Sequence, residues 1–173
     1  MEKLASASDL ATIQNYLNNI PILYAQWITQ QETTLKVENE EQRTTARELY
    51  RCAKTVQGRI QAGINCLADP LALEAFRLMN QAIATSIRQR LSHNSDKQPA
   101  DFDSPQWRPF QLAFILMNLQ GIFDPNHHDR NIVDLLFFPT GGGKTEAYLG
   151  LAAFTVLLRR LRHPDLAGAG PST

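Results

Sequence analysis

The stretch Ile132-Val133-Asp134-Leu135-Leu136-Phe137-Phe138-Pro139-Thr140-Gly141-Gly142-Gly143-Lys144-Thr145 decides how this chain reads. From Ile132 to Phe138 the residues are apolar except for Asp134, which predicts a strand buried on both faces, as in a parallel sheet. A turn containing three glycines follows, and from Lys144 to about Arg162 the residues suit a helix that Pro164 stops. The order is strand, glycine-rich turn, helix. Backbone N–H groups can converge on an anion in such a turn, because glycine tolerates conformations other residues avoid and leaves room for close approach. The N-terminus of the following helix adds the positive end of its dipole. Gly141, Gly142 and Gly143, with Thr140 before them, are therefore expected to cradle phosphates. Lys144 would reach the β- and γ-phosphates, and the Thr145 hydroxyl would ligate Mg²⁺. The strict phosphate-loop pattern places a glycine where this chain has Phe138. The competing reading is a glycine-rich turn that binds nothing; Lys-Thr directly after the third glycine argues against it.

Upstream of this unit the chain reads as helices. Ile13, Leu17 and Ile20 recur at helical spacing, and Pro21 is expected to kink or split that helix. A polar, acidic segment from Thr33 to Gln42 separates it from the run Leu49, Cys52, Val56, Ile60, Ile64 and Leu67. Asp69-Pro70 reads as an N-cap followed by proline at the first helical position. Leu73, Phe76, Met79, Ile83, Ile87 and Leu91 then fall on one face, expected to be core rather than a ligand site. Ser92 to Ser104 is rich in Ser, Asn, Asp and Pro and marks a boundary. A short helix is expected from about Pro109 to Leu119, then a polar loop from Gly121 to Asn131. This divides the chain into a helical region (1–92), a linker (93–106), the beginning of a nucleotide-binding domain (107–163) and a disordered tail (164–173).

Composition adds bounds. The 173 residues are 43% hydrophobic and 20% charged, with zero formal net charge, so there is no electrostatic footprint for nucleic acid. Cys52 and Cys66 have no partners at zinc-site spacing and are expected to be small buried hydrophobes in a reducing cytoplasm. No apolar stretch approaches the roughly 18 residues of a membrane span. The adjacent His127 and His128 read as a solvated loop rather than a metal site, and Asp134, if buried, needs a structural hydrogen-bond partner.

Pro139-Thr140-Gly141-Gly142-Gly143-Lys144-Thr145, lacking the first glycine, resembles motif I of superfamily 2 helicases and translocases. The longer strings Trp107 to Leu116 and Asp134 to Leu151 are similar to the helicase family of the DISARM anti-phage system. The resemblance implies a mostly α-helical N-terminal region followed by the start of an α/β RecA-like ATP-binding domain with an incomplete sheet. It also implies ATP and Mg²⁺ as cofactors, and DNA and other DISARM proteins as partners. Gln111, after Arg108-Pro109-Phe110, matches the glutamine that reads adenine in such enzymes; its amide offers both a donor and an acceptor. Phe110 or Trp107 could stack on the base. The family continues into an acidic motif and a second RecA-like domain that this sequence does not contain, so the chain is expected to be inactive by itself. Two other readings stay open: a different phosphate-loop NTPase, such as a small-molecule kinase or transporter ATPase, and a non-catalytic helical piece with a remnant loop.

Overall fold

A computed structural model describes residues 1–36, 39–93, 95–137 and 142–165. Seven α-helices occur among them: α1 (Glu2–Ala5), α2 (Leu10–Leu17), α3 (Asn19–Thr34), α4 (Glu40–Cys66), α5 (Pro70–His93), α6 (Pro109–Phe123) and α7 (Lys144–Arg162). Single 3₁₀ turns lie at Pro99–Asp101 and His128–Asn131.

Local chemistry sets the helix starts. Asp9 accepts the Thr12 amide at 2.8 Å and Asn39 the Gln42 amide at 2.9 Å, capping α2 and α4. Asp69 accepts the amides of Leu71 and Ala72 at 2.8 and 3.1 Å, and Pro70 opens α5 as its sequence predicts. The break between α2 and α3 falls at Asn18 rather than at Pro21. Pro21 stands in the first turn of α3, where its missing N–H interrupts no intrahelical bond.

α4 packs on α6 and on α3, while α5 packs on α7 and α1; α6 and α7 join the two sets. One contiguous core results, with Ile60 and Ile64 of α4, Phe76 and Met79 of α5, Ile115 and Leu119 of α6, and Phe154 and Leu158 of α7. The α4–α6 contact is close at Gly63: a Cβ there would stand 1.8 Å from the Leu116 carbonyl oxygen. Leu49 and Cys52, in the first half of α4, are exposed, as is Leu91 at the end of α5, so the apolar periodicity outruns the core. Residues 95–105 are tied to the helices. Arg88 donates to the carbonyls of Pro99, at 2.9 Å, and Phe102, and the Met1 amine donates to Pro105 O at 3.1 Å.

The expected strand from Ile132 to Phe138 is not formed, and with it the expected start of a RecA-like α/β domain is overturned: no strand occurs among the described residues. Residues 132–137 carry no regular structure, and Phe138 lies outside the described residues. A strand exists only with a ladder partner for its N–H and C=O groups, and among the described residues none pairs with this segment in a ladder. Val133, Leu135 and Phe137 stand 96%, 84% and 88% exposed, whereas Asp134 and Leu136 are half-buried. α7, placed as the sequence predicts, packs against α5 and α6 rather than on a sheet. Of the expected tail, residues 166–173 lie outside the described residues.

Candidate nucleotide-binding site

α7 begins at Lys144, directly after Gly143, whose φ of 85° places it in the left-handed region. A side chain there would be strained, and it would also collide: a Cβ on Gly143 would stand 2.8 Å from Gln111 Nε2 and 3.4 Å from Glu146 Oε2. Glycine at this position therefore leaves room at the start of α7 that any other residue would fill. Lys144 is half-buried and Thr145 exposed, at the first and second positions of the helix. Thr140 and Gly141, with Phe138 and Pro139, lie outside the described residues.

The downstream end of the turn is held by the start of α6. Gln111, 4% exposed, accepts the Arg108 amide on Oε1 at 2.8 Å and donates from Nε2 to Gly143 O at 2.6 Å. The Arg108 guanidinium donates to Gly142 O at 2.8 Å. Gln111 is thus a buried side chain joining two segments 32 positions apart, not a polar residue on an open helix face. Each end of its amide retains capacity for one more hydrogen bond. Trp107 donates from Nε1 to Oδ1 of the buried Asn80 at 2.7 Å, which ties the approach to α6 onto α5. Phe110 lines an open apolar groove of about 650 Å³ with Trp27 of α3 and Leu135 and Leu136. The two aromatic candidates for stacking therefore face different surroundings. Glu146, in the first turn of α7, pairs with Arg90 at 3.3 Å through Oε1. Its Oε2 is buried without a hydrogen-bond partner among the described residues. The helix dipole favours this carboxylate, but its charge opposes a phosphate unless a cation accompanies it.

The upstream side is held by a cluster the sequence did not announce. Arg59 of α4 is buried at 9% exposure. It donates from Nε to Asp129 Oδ2 at 2.9 Å, and from Nη1 and Nη2 to the two oxygens of Asp134 at 2.7 and 2.6 Å. Hydrogen bonding to Asp134 holds the guanidinium's pKa above its ordinary value, against the opposing effect of burial. The only sequence signal was Asp134 interrupting an apolar run; nothing local pointed to Arg59. His128 is exposed with its Nε2 3.0 Å from Asp129 Oδ1, an oxygen otherwise without a hydrogen-bond partner among the described residues. His127 accepts the Asp129 amide on Nδ1 at 3.3 Å. The segment expected to be a solvated loop is therefore anchored through Asp129.

Among the described residues no helix is long and apolar enough to cross a membrane. No family model matches the chain. A curated relative does: the chain is 42% identical over 169 residues to the DISARM protein DrmA of Bacillus paralicheniformis, an alignment covering 93% of this chain and 15% of the relative. The molecule is thus similar, along nearly all of its own length, to a small part of a DISARM protein DrmA.

Proposed function

We propose that this chain is the ATP-binding portion of a DISARM-type defence helicase or translocase acting on DNA. The observation that carries the reading is the start of α7: Lys144 opens the helix immediately after a left-handed glycine whose carbonyl is gripped by Gln111. A helix N-terminus preceded by small residues and followed by Lys and Thr is suited to a phosphate chain. Thr140, Gly141, Gly142 and Gly143 would surround the phosphates with N–H groups. Lys144 would neutralise the β- and γ-phosphates, and Thr145 would place its hydroxyl on Mg²⁺, whose charge also offsets Glu146. Gln111 would use its remaining N–H and lone pair on the adenine edge, so that one side chain links the base to the phosphate turn. The similarity to DrmA supports the defence context and makes DNA and other DISARM proteins the partners to test.

Nucleotide choice tests this reading. MgATP should bind, and Gln111→Ala should weaken ATP by about 1–3 kcal/mol, the cost of leaving a buried polar partner unpaired. GTP, bound more weakly, should lose less. Equal losses for both nucleotides would make Gln111 a purely structural link. A second reading, a non-catalytic helical piece with a remnant loop, is favoured by the absence of any strand among the described residues and by the irregular segment 132–137. A folded chain that takes up no nucleotide would select it.

A further inference from the structure

The 3₁₀ turn His128–Asn131 carries a group of side chains that the nucleotide reading does not use. His127 precedes the turn with extended backbone, and the imidazoles of His127 and His128 lie side by side, centroids 4.3 Å apart and planes tilted by 34°. Adjacent histidines seldom share a target, yet this turn brings both beside Asp129. One ligand atom from each of the three residues lies within 4.8 Å of the other two. Asp129 is the fixed point. Its side chain is 4% exposed, and Arg59 holds Oδ2 at 2.9 Å. Oδ1 is buried and accepts no hydrogen bond among the described residues, a costly state for a carboxylate oxygen. His128 Nε2 stands 3.0 Å from Oδ1, but the pair lacks hydrogen-bond geometry. His127 Nδ1 lies 3.7 Å from Oδ2 and accepts the Asp129 amide at 3.3 Å, a long bond.

Charge points the same way. Arg59 carries one positive charge against the carboxylates of Asp129 and Asp134, all three largely buried, so the group holds one negative charge in excess. Arg130 donates to Gly121 O at 3.0 Å instead of joining it. A cation beside Oδ1 would cancel the excess and satisfy the oxygen together. Ligand atoms about 2.0–2.1 Å from a tetrahedral zinc ion stand roughly 3.3 Å apart, and each aims its lone pair at the metal rather than at its neighbour. The 3.0 and 3.7 Å separations and the missing hydrogen-bond geometry fit ligands of that kind. Two imidazoles and one carboxylate select a borderline transition ion over Mg²⁺ or Ca²⁺, which prefer oxygen. We propose that His127, His128 and Asp129 form a binding site for a divalent transition-metal ion, zinc by ligand chemistry, with Arg59 orienting the carboxylate through Oδ2. Hydrogen bonds commonly orient metal-bound carboxylates in this way. Three protein ligands leave one tetrahedral position open, and the exposed His128 places it at the surface. The site does not depend on the phosphate turn binding nucleotide.

The experiment titrates Zn²⁺, without nucleotide, into the chelator-stripped chain carrying Cys52→Ser, which removes the exposed thiol as a competing ligand. Calorimetry reads affinity and stoichiometry, melting reads Tm, and circular dichroism confirms that each variant is folded. One ion per chain should bind, and saturating Zn²⁺ should raise Tm. His127→Gln and His128→Gln should each weaken zinc by at least about tenfold, the scale of loss when a metal site is disturbed. Asp129→Asn keeps Arg59 paired with Asp134 and should weaken zinc likewise. His93→Gln and His163→Gln, which remove the two remaining histidines, should leave binding as it is. No saturable binding would overturn the proposal, as would binding that His127→Gln, His128→Gln or a folded Asp129→Asn leaves unchanged. So would an equal loss with His93→Gln or His163→Gln. Should Asp129→Asn not fold, the histidine variants decide alone.

Discussion

Gly143 holds a backbone conformation that an L-residue adopts only at a cost of roughly 1–2 kcal/mol. A Cβ there would also stand only 2.8 Å from Gln111 Nε2. Gly143→Ala therefore carries two penalties, strain and displacement of Gln111. Its melting point should fall, and its proposed ATP binding should fall with it; an alanine variant as stable as the parent would show that the left-handed turn is not required. The two cysteines make a simpler pair. Cys66 is buried, donates towards Gly63 O at 3.1 Å, and has its thiol pKa pushed up to about 12 by burial. Cys52, expected to be buried, is exposed on α4. A thiolate-selective reagent at neutral pH should label Cys52 alone in the folded chain and both residues in denaturant. Rapid labelling of Cys66 under native conditions would contradict its place in the core.

At the scale of elements, the α4–α6 seam makes the sharpest prediction. Alanine favours a helix over glycine by about 1 kcal/mol, so on propensity alone Gly63→Ala should stabilise α4. The Leu116 carbonyl stands where the new methyl would go, and backbone cannot swing aside as a flexible side chain does. Overpacking of this kind costs about 1–3 kcal/mol, and a net loss of stability in denaturant melts is expected. The helices were legible for local reasons. Asp69-Pro70 starts α5, and Pro164 follows the end of α7; each signal acts within a few residues. The segment 132–137 was not legible, because a continuous apolar run states that burial is wanted but not by what, and a strand requires a second strand. At the candidate site, the helix start at Lys144 could be read from neighbours in sequence. The grip of Gln111 on Gly143 and of Arg59 on Asp134 joins positions 32 and 75 apart, a distance no local pattern spans.

For the whole molecule, the core is continuous from α1 to α7, yet one side of it is uncovered. Trp27, Leu135 and Leu136 line the groove beside α6, and Val133 and Phe137 point away from the body. Exposed apolar side chains clustered on one segment favour association. The chain alone should self-associate as its concentration rises, and the triple change Val133→Ser, Leu135→Ser, Phe137→Ser should suppress this without lowering Tm. A parent chain that stays monomeric in sedimentation at high concentration would count against that reading of the surface. Hydrolysis is a separate matter. Phosphoryl transfer to water needs a positioned nucleophile and charge stabilisation from several segments. The described residues around Lys144 supply Gln111, Arg108 and Glu146, so binding of MgATP without DNA-stimulated turnover is expected of residues 1–173.

Under the proposed function, the turn leading into α7 takes the phosphates of ATP. Isothermal titration of MgATP into the chain and into its Lys144→Ala variant, with circular dichroism confirming that both are folded, tests it most directly. Saturable one-site binding is expected of the parent chain, and a loss of at least about tenfold in affinity, or no measurable binding, of the variant, corresponding to about 1.4 kcal/mol or more. A folded parent that binds no MgATP, or binding that Lys144→Ala leaves unchanged, would contradict it.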